Sequence, residues 1–330
     1  MDLKRFPRFK FSHNPTPLEP LANLSKYLGG PEIWIKRDDC TGLATGGNKT
    51  RKLEFLVGDA LEKKANILVT QGAVQSNHAR QTAAAACKSN LKCHLLLHKW
   101  VPYNHEIYEE TSNILINRML GAKIEFRPTG LDMNEEVQIL CEKLSSNGFN
   151  PYYIPGGGSN EVGALGYVDC ALELKNQMKS FSLSFDFLIH ATGSAGTQAG
   201  LITGLAGSNT EINVLGICVH QSKSKQISAV HKLINELTKK LDIKNVKKDL
   251  VKADDNYIGE GYGIPNQSTK EALKILAETE GILLDPVYSG KSMAGLIDYI
   301  RRGNFKKGQR ILYLHTGGTT ALFAYNKLIF

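Results

Sequence analysis

Four short apolar runs in this chain each end in a cluster of glycines and small polar residues, and each cluster opens into a helical pattern. The runs are Ile67 to Thr70 before QGAVQSN, Tyr152 to Ile154 before PGGGSN, Phe187 to His190 before ATGSAGT, and Ile311 to Leu314 before HTGGTT. Further β-rich runs lie at Ile33 to Lys36, His94 to Leu97, Lys123 to Phe126 and Val214 to Val219. Helical spacing of apolar residues covers about 50–64, 77–90, 133–147, 160–178, 197–206, 268–280 and 289–302. Strand and helix in this alternation predict mostly parallel sheets wrapped by helices, an α/β fold. Ligands of open α/β sheets bind outside the carboxyl ends of the strands, where all four clusters fall, so the clusters predict one shared site.

The 330 residues suffice for about two domains or one large α/β unit, with no internal repeat and no Pro/Ser-rich linker to mark a boundary. No apolar run approaches the roughly 20 residues that cross a bilayer. Met1 to Phe11 carries Asp2, Lys4, Arg5, Arg8 and Lys10 without an apolar stretch, so no secretory signal is read and a cytoplasmic location is expected. Six cysteines are spread without a C-x-x-C, which predicts free thiols rather than a zinc site or a disulfide framework. The net charge of +8 is concentrated in Ser222 to Lys252, where nine lysines face three acids. Ile227, Val230, Leu233, Ile234, Leu237 and Leu241 recur there at helical spacing, so the lysines are expected on a solvated helix face. Aromatic interleaving is missing, which argues against a single-strand nucleic-acid binder.

Two segments carry chemistry. ATGSAGTQAG at 191–200 follows an apolar strand and leads into a helix; its glycines admit backbone N–H groups to an anion, and Ser194 and Thr197 add hydroxyl donors. Alone, the segment also reads as a tight strand-to-helix turn. It is not a Walker A loop: Asp285 stands where the first glycine before Gly290-Lys291-Ser292 would be, and G-x-G-x-x-G is absent. A phosphate carried by a cofactor therefore fits better than ATP or NAD. The second segment, GGNKTRK at 46–52, sets Lys49 behind two glycines at a loop-to-helix junction, where its amine can be held against a ligand. Alone, a surface lysine at a helix start is the commoner reading. Together the two segments point to pyridoxal 5'-phosphate (PLP), which needs a Schiff-base lysine and a phosphate anchor. The histidines show no H-E-x-x-H or comparable spacing, no metal is expected, and no G-x-S-x-G elbow occurs.

GGNKTRK at 46–52, QGAVQSNHARQTA at 71–83, PGGGSN at 155–160, ATGSAGTQAG at 191–200, GYGIPN at 261–266, LDPVYSGKSMAGL at 284–296 and HTGG at 315–318 resemble, in order and over nearly the whole chain, one group of fold-type II PLP enzymes. The group comprises D-cysteine desulfhydrase, L-cysteate sulfo-lyase and 1-aminocyclopropane-1-carboxylate deaminase. The resemblance implies a tryptophan synthase β-like fold of two open twisted α/β domains, 1–50 plus 162–330 and 51–161, with the cofactor in the cleft. It implies that Lys49 carries PLP and moves the substrate Cα proton. Asn77 would meet the 3'-oxygen of PLP, and Gly193, Ser194, Ala195, Gly196 and Thr197 would hold its phosphate. Ser76 would sit over the substrate carboxylate, with His78 nearby, while Tyr262 and Tyr288 would line the face from which the side chain departs. A homodimer acting on a small amino acid, with neither nucleic acid nor membrane as partner, is also implied.

Two positions divide the group. Deaminases have Glu after the second tyrosine and a His-Leu-Gly-Gly motif; this chain has Ser289 and Thr316. Thr316 beside the pyridine nitrogen would not keep it protonated as a carboxylate could, and Ser289 would border the substrate. A weaker electron sink favours expulsion of a good β leaving group over opening of a cyclopropane. The implied reaction is α,β-elimination from L-cysteate or D-cysteine, giving pyruvate, ammonium and sulfite or sulfide, with PGGGSN and ATGSAGTQAG inclining toward cysteate. The alternatives are the deaminase and, more remotely, a non-catalytic amino-acid or cofactor sensor.

Overall fold

The computed structural model of the chain describes residues 1–103 and 105–329. Its strands are β1 (Leu18–Pro20), β2 (Glu32–Arg37), β3 (Ile67–Ala73), β4 (Lys92–His98), β5 (Lys123–Arg127), β6 (Pro151–Ile154), β7 (Phe187–Thr192), β8 (Asn213–Cys218), β9 (Lys252–Asp254) and β10 (Arg310–His315). They form a six-stranded sheet ordered β1-β2-β10-β7-β8-β9 and a four-stranded sheet ordered β5-β4-β3-β6. Every pairing is parallel except that of β1 with β2.

Parallel strands covered on both faces need apolar side chains on both. Along β10, Leu312 and Leu314 enter a core with the helices Leu165–Phe181, Gly196–Gly207 and Lys223–Leu241. The intervening Ile311 and Tyr313 face the helices Gln267–Glu280 and Ser289–Arg301 on the other side. The same period of two divides the four-stranded sheet: Leu68, Leu95 and Leu97 pack on one face, Val69 and Leu96 on the other. All four sheet strands there come from 67–154, yet the core over one face also takes in Phe11, Val287, Ala321, Ala324 and Tyr325.

The eight strand runs and seven helical segments read from the sequence all form. The segment placed at 160–178 begins as turns and is helical only over Leu165–Phe181, because Asn160 first closes a turn by accepting the Gly163 N–H at 2.8 Å. β1, β9 and the helices Ala22–Leu28, Glu106–Glu110 and Asn113–Met119 were not legible. β1 is three residues ending in Pro20, tolerable at a sheet edge but giving no alternating pattern. The lysine-rich segment is amphipathic as expected: Val230, Leu233, Ile234, Leu237 and Leu241 are buried while Lys223, Lys225, Lys232 and Lys239 are exposed. The six thiols are free. Among the described residues there is no cluster suited to a metal ion, and no helix is long and apolar enough to cross a membrane.

Candidate active site

A cavity of about 280 Å³ lies between the sheets, lined by residues that follow β3, β6, β7, β8 and β10 together with Asn48 and Lys49. The four glycine-bearing clusters thus converge, as strand ends in an open α/β sheet do.

Lys49 begins the helix Lys49–Glu62, and the loop before it is pinned on three sides. Gly47 donates its N–H to Thr41 Oγ1 at 2.8 Å. Asn48 donates its backbone N–H to the Thr316 carbonyl at 2.9 Å and its Nδ2 to Thr197 Oγ1 at 3.1 Å. The loops GGNK and HTGG touch backbone to backbone: Gly317 has φ +87°, and a Cβ there would lie 2.7 Å from Gly47 Cα. Lys49 Nζ donates to Asn48 Oδ1 at 2.9 Å. Burial draws its pKa down to about 8, against the pull of Asp285 and with the push of Arg80. An amine with that pKa is partly neutral near physiological pH, as a nucleophile or a base requires.

Against the GGNK loop, whose Asn48 reaches Thr197, lie Gly193, Ser194, Ala195 and Thr197, lining the wall at the N-terminus of the helix Gly196–Gly207. Ala195 holds φ +66°, a strained value for a residue with a Cβ. The PGGGSN loop closes over this turn: Ser159 donates to Ser194 Oγ at 2.9 Å, and a Cβ on Gly157, at φ +68°, would collide with Ser194 Oγ. Behind the turn lies Lys52, fully buried, donating to the Gly157 carbonyl at 3.0 Å and to Ser159 Oγ at 3.2 Å. Among the described residues it has no carboxylate partner; burial and the Lys49 charge hold its pKa well below that of a free lysine. A buried amine without a counter-charge, beside a helix N-terminus and two hydroxyls, is charged most favourably when an anion joins it, and so marks an anion site.

Ser76 caps the helix Asn77–Lys88, its Oγ accepting the Ala79 N–H at 3.1 Å, so its own hydroxyl hydrogen remains available to the cavity it lines. Asn77 lines the cavity beside it. His78 Nε2 lies 2.9 Å from Thr70 Oγ1, whose hydroxyl is already given to the Ile154 carbonyl. Nε2 is therefore the protonated nitrogen and Nδ1 a bare acceptor. Burial and the charges of Lys49 and Lys52 depress the His78 pKa, so it offers no cation to a substrate acid group. Tyr262 and Tyr288 line the cavity with their hydroxyls hydrogen-bonded to each other, and burial raises both pKa values, keeping them neutral phenols.

Two expectations need correction. Ser289 is fully buried and absent from the lining; its hydroxyl donates to Asp285 Oδ1 at 2.6 Å, closing the cap of the helix Ser289–Arg301. It does not border the substrate space. Gly196 is also absent from the lining, because its N–H is taken by the Ser194 carbonyl at 2.8 Å and Ser159 Oγ at 3.1 Å. Its role is close packing: a Cβ there would lie 2.7 Å from Ser159 Oγ and 2.9 Å from Lys52 Nζ.

The sequence reading missed Asn48, Lys52, Trp100 and His220. Lys52 was within reach of inference, being three residues after Lys49 and so on the same helix face. Trp100 and His220 were not: they meet only across the cleft, Trp100 stacking on Tyr262 at 4.8 Å between centroids and meeting His220 edge-on at 4.4 Å.

A low-pKa lysine facing a cradle with an unneutralised cation is the donor set of PLP, whose aldehyde and phosphate need one each. Comparison with known proteins agrees. The family model "Pyridoxal-phosphate dependent enzyme" matches residues 10–317. A solved structure described as "Crystal Structure Analysis of the ACC deaminase homologue" is similar at 36% identity and a TM-score of 0.90, covering 99% of this chain and 96% of that one. The fold is that of the fold-type II PLP enzymes, and the chain belongs to the pyridoxal-phosphate dependent enzyme family.

Proposed function

We propose that this enzyme is a carbon–sulfur lyase that removes sulfite or sulfide from a cysteine-type amino acid, leaving pyruvate and ammonium. The observation that carries the reading is the absence of any Asp or Glu from the cavity lining among the described residues. Asp285, whose charge reaches Lys49, is spent: its carboxylate accepts N–H groups of Val287, Tyr288 and Ser289 and the Ser289 hydroxyl. Thr316 is then the polar side chain offered where deaminases of this group carry another residue. Bound PLP supplies the electron sink that labilises the substrate Cα–H bond.

The chain's own residues do the rest. Lys49, with its lowered pKa, takes the Cα proton at Nζ. Ser76 Oγ orients the substrate carboxylate, and the adjacent Asn77 meets the cofactor. The Tyr262–Tyr288 pair, neutral and shielded by Trp100, borders the departing group and can hand it a proton. We propose further that the chain divides into 1–50 plus 162–330 and 51–161 with the cavity in the cleft between them, and that it acts as a homodimer, as the family resemblance implies.

Opening of 1-aminocyclopropane-1-carboxylate is the second reading, favoured by the tyrosine pair and by the description of the solved relative. Purified enzyme assayed side by side with L-cysteate, D-cysteine, L-cysteine and the cyclopropane amino acid separates the two. Pyruvate from a cysteine-type substrate without 2-oxobutyrate from the cyclopropane is the expected result. Substantial 2-oxobutyrate sinks the lyase assignment, and turnover of none of the four would favour a sensor.

A further inference from the structure

Arg80 is fully buried, and among the described residues no carboxylate bonds to it, the charge of Asp285 acting only from a distance. Its Nη1 donates to Asn77 Oδ1 at 2.9 Å and to Asn113 Oδ1 at 2.7 Å, its Nη2 donates to the Gly46 carbonyl at 2.6 Å, and its Nε has no partner. Burying a guanidinium among neutral acceptors costs several kcal/mol, so an isolated structural role is a poor reason for it. Two of the groups it touches, Asn77 and Gly46, belong to the segments that carry the site, and the third, Asn113, begins the helix Asn113–Met119.

The network removes the usual ambiguity of amide orientation. Asn113 is fixed first: Arg80 can only donate to it, so the atom facing Arg80 is Oδ1, and its Nδ2 donates to the Gln75 carbonyl at 2.9 Å. That same Nδ2 lies 3.0 Å from Asn77. Asn77 therefore meets two donors, Arg80 and Asn113, with a single atom that must be its carbonyl oxygen. The Asn77 NH2 group is left for the cavity. Gln75 locks the arrangement from behind, accepting the Asn113 N–H at 3.0 Å and donating to the Tyr108 and Thr111 carbonyls.

We propose that Arg80, with Asn113, is a positioning residue that holds the Asn77 amide with its NH2 toward the cavity and places an unpaired positive charge behind it, so that Asn77 meets an anionic oxygen of the bound cofactor. This rests on family membership and not on the choice between lyase and deaminase. The charge survives burial, its pKa drawn down only to about 10. Two buried cations without bonded carboxylates, Lys52 and Arg80, then serve separate anionic groups: Lys52 the phosphate, Arg80 the ring oxygen through Asn77.

The test is a double-mutant cycle read in cofactor affinity. Full-length protein stripped of cofactor is titrated with PLP as wild type, Arg80→Lys, Asn77→Ala and the double variant. Arg80→Lys keeps charge but loses the planar fork, and about tenfold weaker binding is expected, as for one charge-assisted hydrogen bond misaligned. In the Asn77→Ala background the same change should cost nothing further, and the bound cofactor of Arg80→Lys should show the visible band position of Asn77→Ala. Losses that multiply, or an Arg80→Lys protein with wild-type affinity and band position, overturn the proposal. If Arg80→Lys does not fold, Asn113→Asp serves in its place, since it neutralises Arg80 and removes the donor to Asn77. The same coupling to Asn77→Ala supports the proposal, and its absence refutes it.

Discussion

Lys52→Met separates cofactor binding from folding. In the cofactor-free protein the substitution removes a fully buried amine without a carboxylate partner among the described residues, together with bonds of 3.0 and 3.2 Å to neutral oxygens. Those two bonds are worth about 1 kcal/mol each in net stability, and relief of the desolvated polar group acts in the opposite direction by a similar amount. The melting point without cofactor should therefore move little. Cofactor affinity should fall, because a charge-assisted bond to phosphate contributes about 1.5–3 kcal/mol, roughly 10–150-fold in Kd. At a cofactor concentration about 1,000 times the wild-type Kd, ligand stabilisation is about 4.1 kcal/mol; a variant binding about 100-fold weaker keeps about 1.4. With an unfolding entropy of about 0.7 kcal/mol/K for a chain of this length, the missing ~2.7 kcal/mol lowers the Tm of the loaded protein by about 4 °C. The assay is a PLP titration paired with melts at matched cofactor concentrations. An unchanged Kd, or equal Tm losses with and without cofactor, would show that Lys52 holds only the PGGGSN loop.

Lys49→Ala should abolish the cofactor's visible absorption band and lower turnover by at least roughly a thousandfold, since anchoring and proton transfer are lost together; borohydride-reducible cofactor on the variant would move the covalent link to another lysine. Gly196→Val should weaken PLP binding more than it lowers the cofactor-free Tm, because its Cβ would press on Ser159 Oγ at 2.7 Å and Lys52 Nζ at 2.9 Å; unchanged affinity would make ATGSAGT a structural turn alone. Acid should destabilise the protein through His190, whose Nε2 is buried without a partner and whose pKa is held down to about 4. The unfolded chain binds a proton below about pH 6.5 that the folded one refuses, so stability present above that pH is lost as it falls toward 4, by about 3 kcal/mol in all. Urea midpoints at pH 7, 5.5 and 4.5 measure the slope, and His190→Gln should flatten it; an identical slope would assign the acid sensitivity to other groups.

The short apolar runs were legible as strands because the central ones bury both faces, as Leu312 and Tyr313 do on opposite sides of β10. Lys49 and the 193–197 turn were legible for a different reason: each alone has commoner uses, but a lysine behind two glycines together with a glycine-rich strand-to-helix turn matches the two anchors of one cofactor. What could not be read is whatever depends on side chains meeting across the chain. Ser289 follows a tyrosine and looked like a cavity residue, yet its hydroxyl turns back four residues to Asp285. Arg80 sits in an alanine-rich helix that reads as ordinary; its meaning arises only when Asn113 is brought beside it, 33 residues along the chain.

The core that draws Phe11 and Tyr325 onto the four-stranded sheet bears on how the protein is made. β3 to β6 are complete once residue 154 is synthesised, so on the ribosome this sheet can pair before most of the larger one exists. β2 must wait for β10, its partner from Arg310 to His315, and remains an open edge until then. Ala321, Ala324 and Tyr325 emerge later still, and they complete the packing of the sheet that paired first. A ribosome that stalls between residues 300 and 310 would release a product with two exposed strand edges, those of β2 and β7, and one unfinished core, a target for chaperones and proteases in both halves.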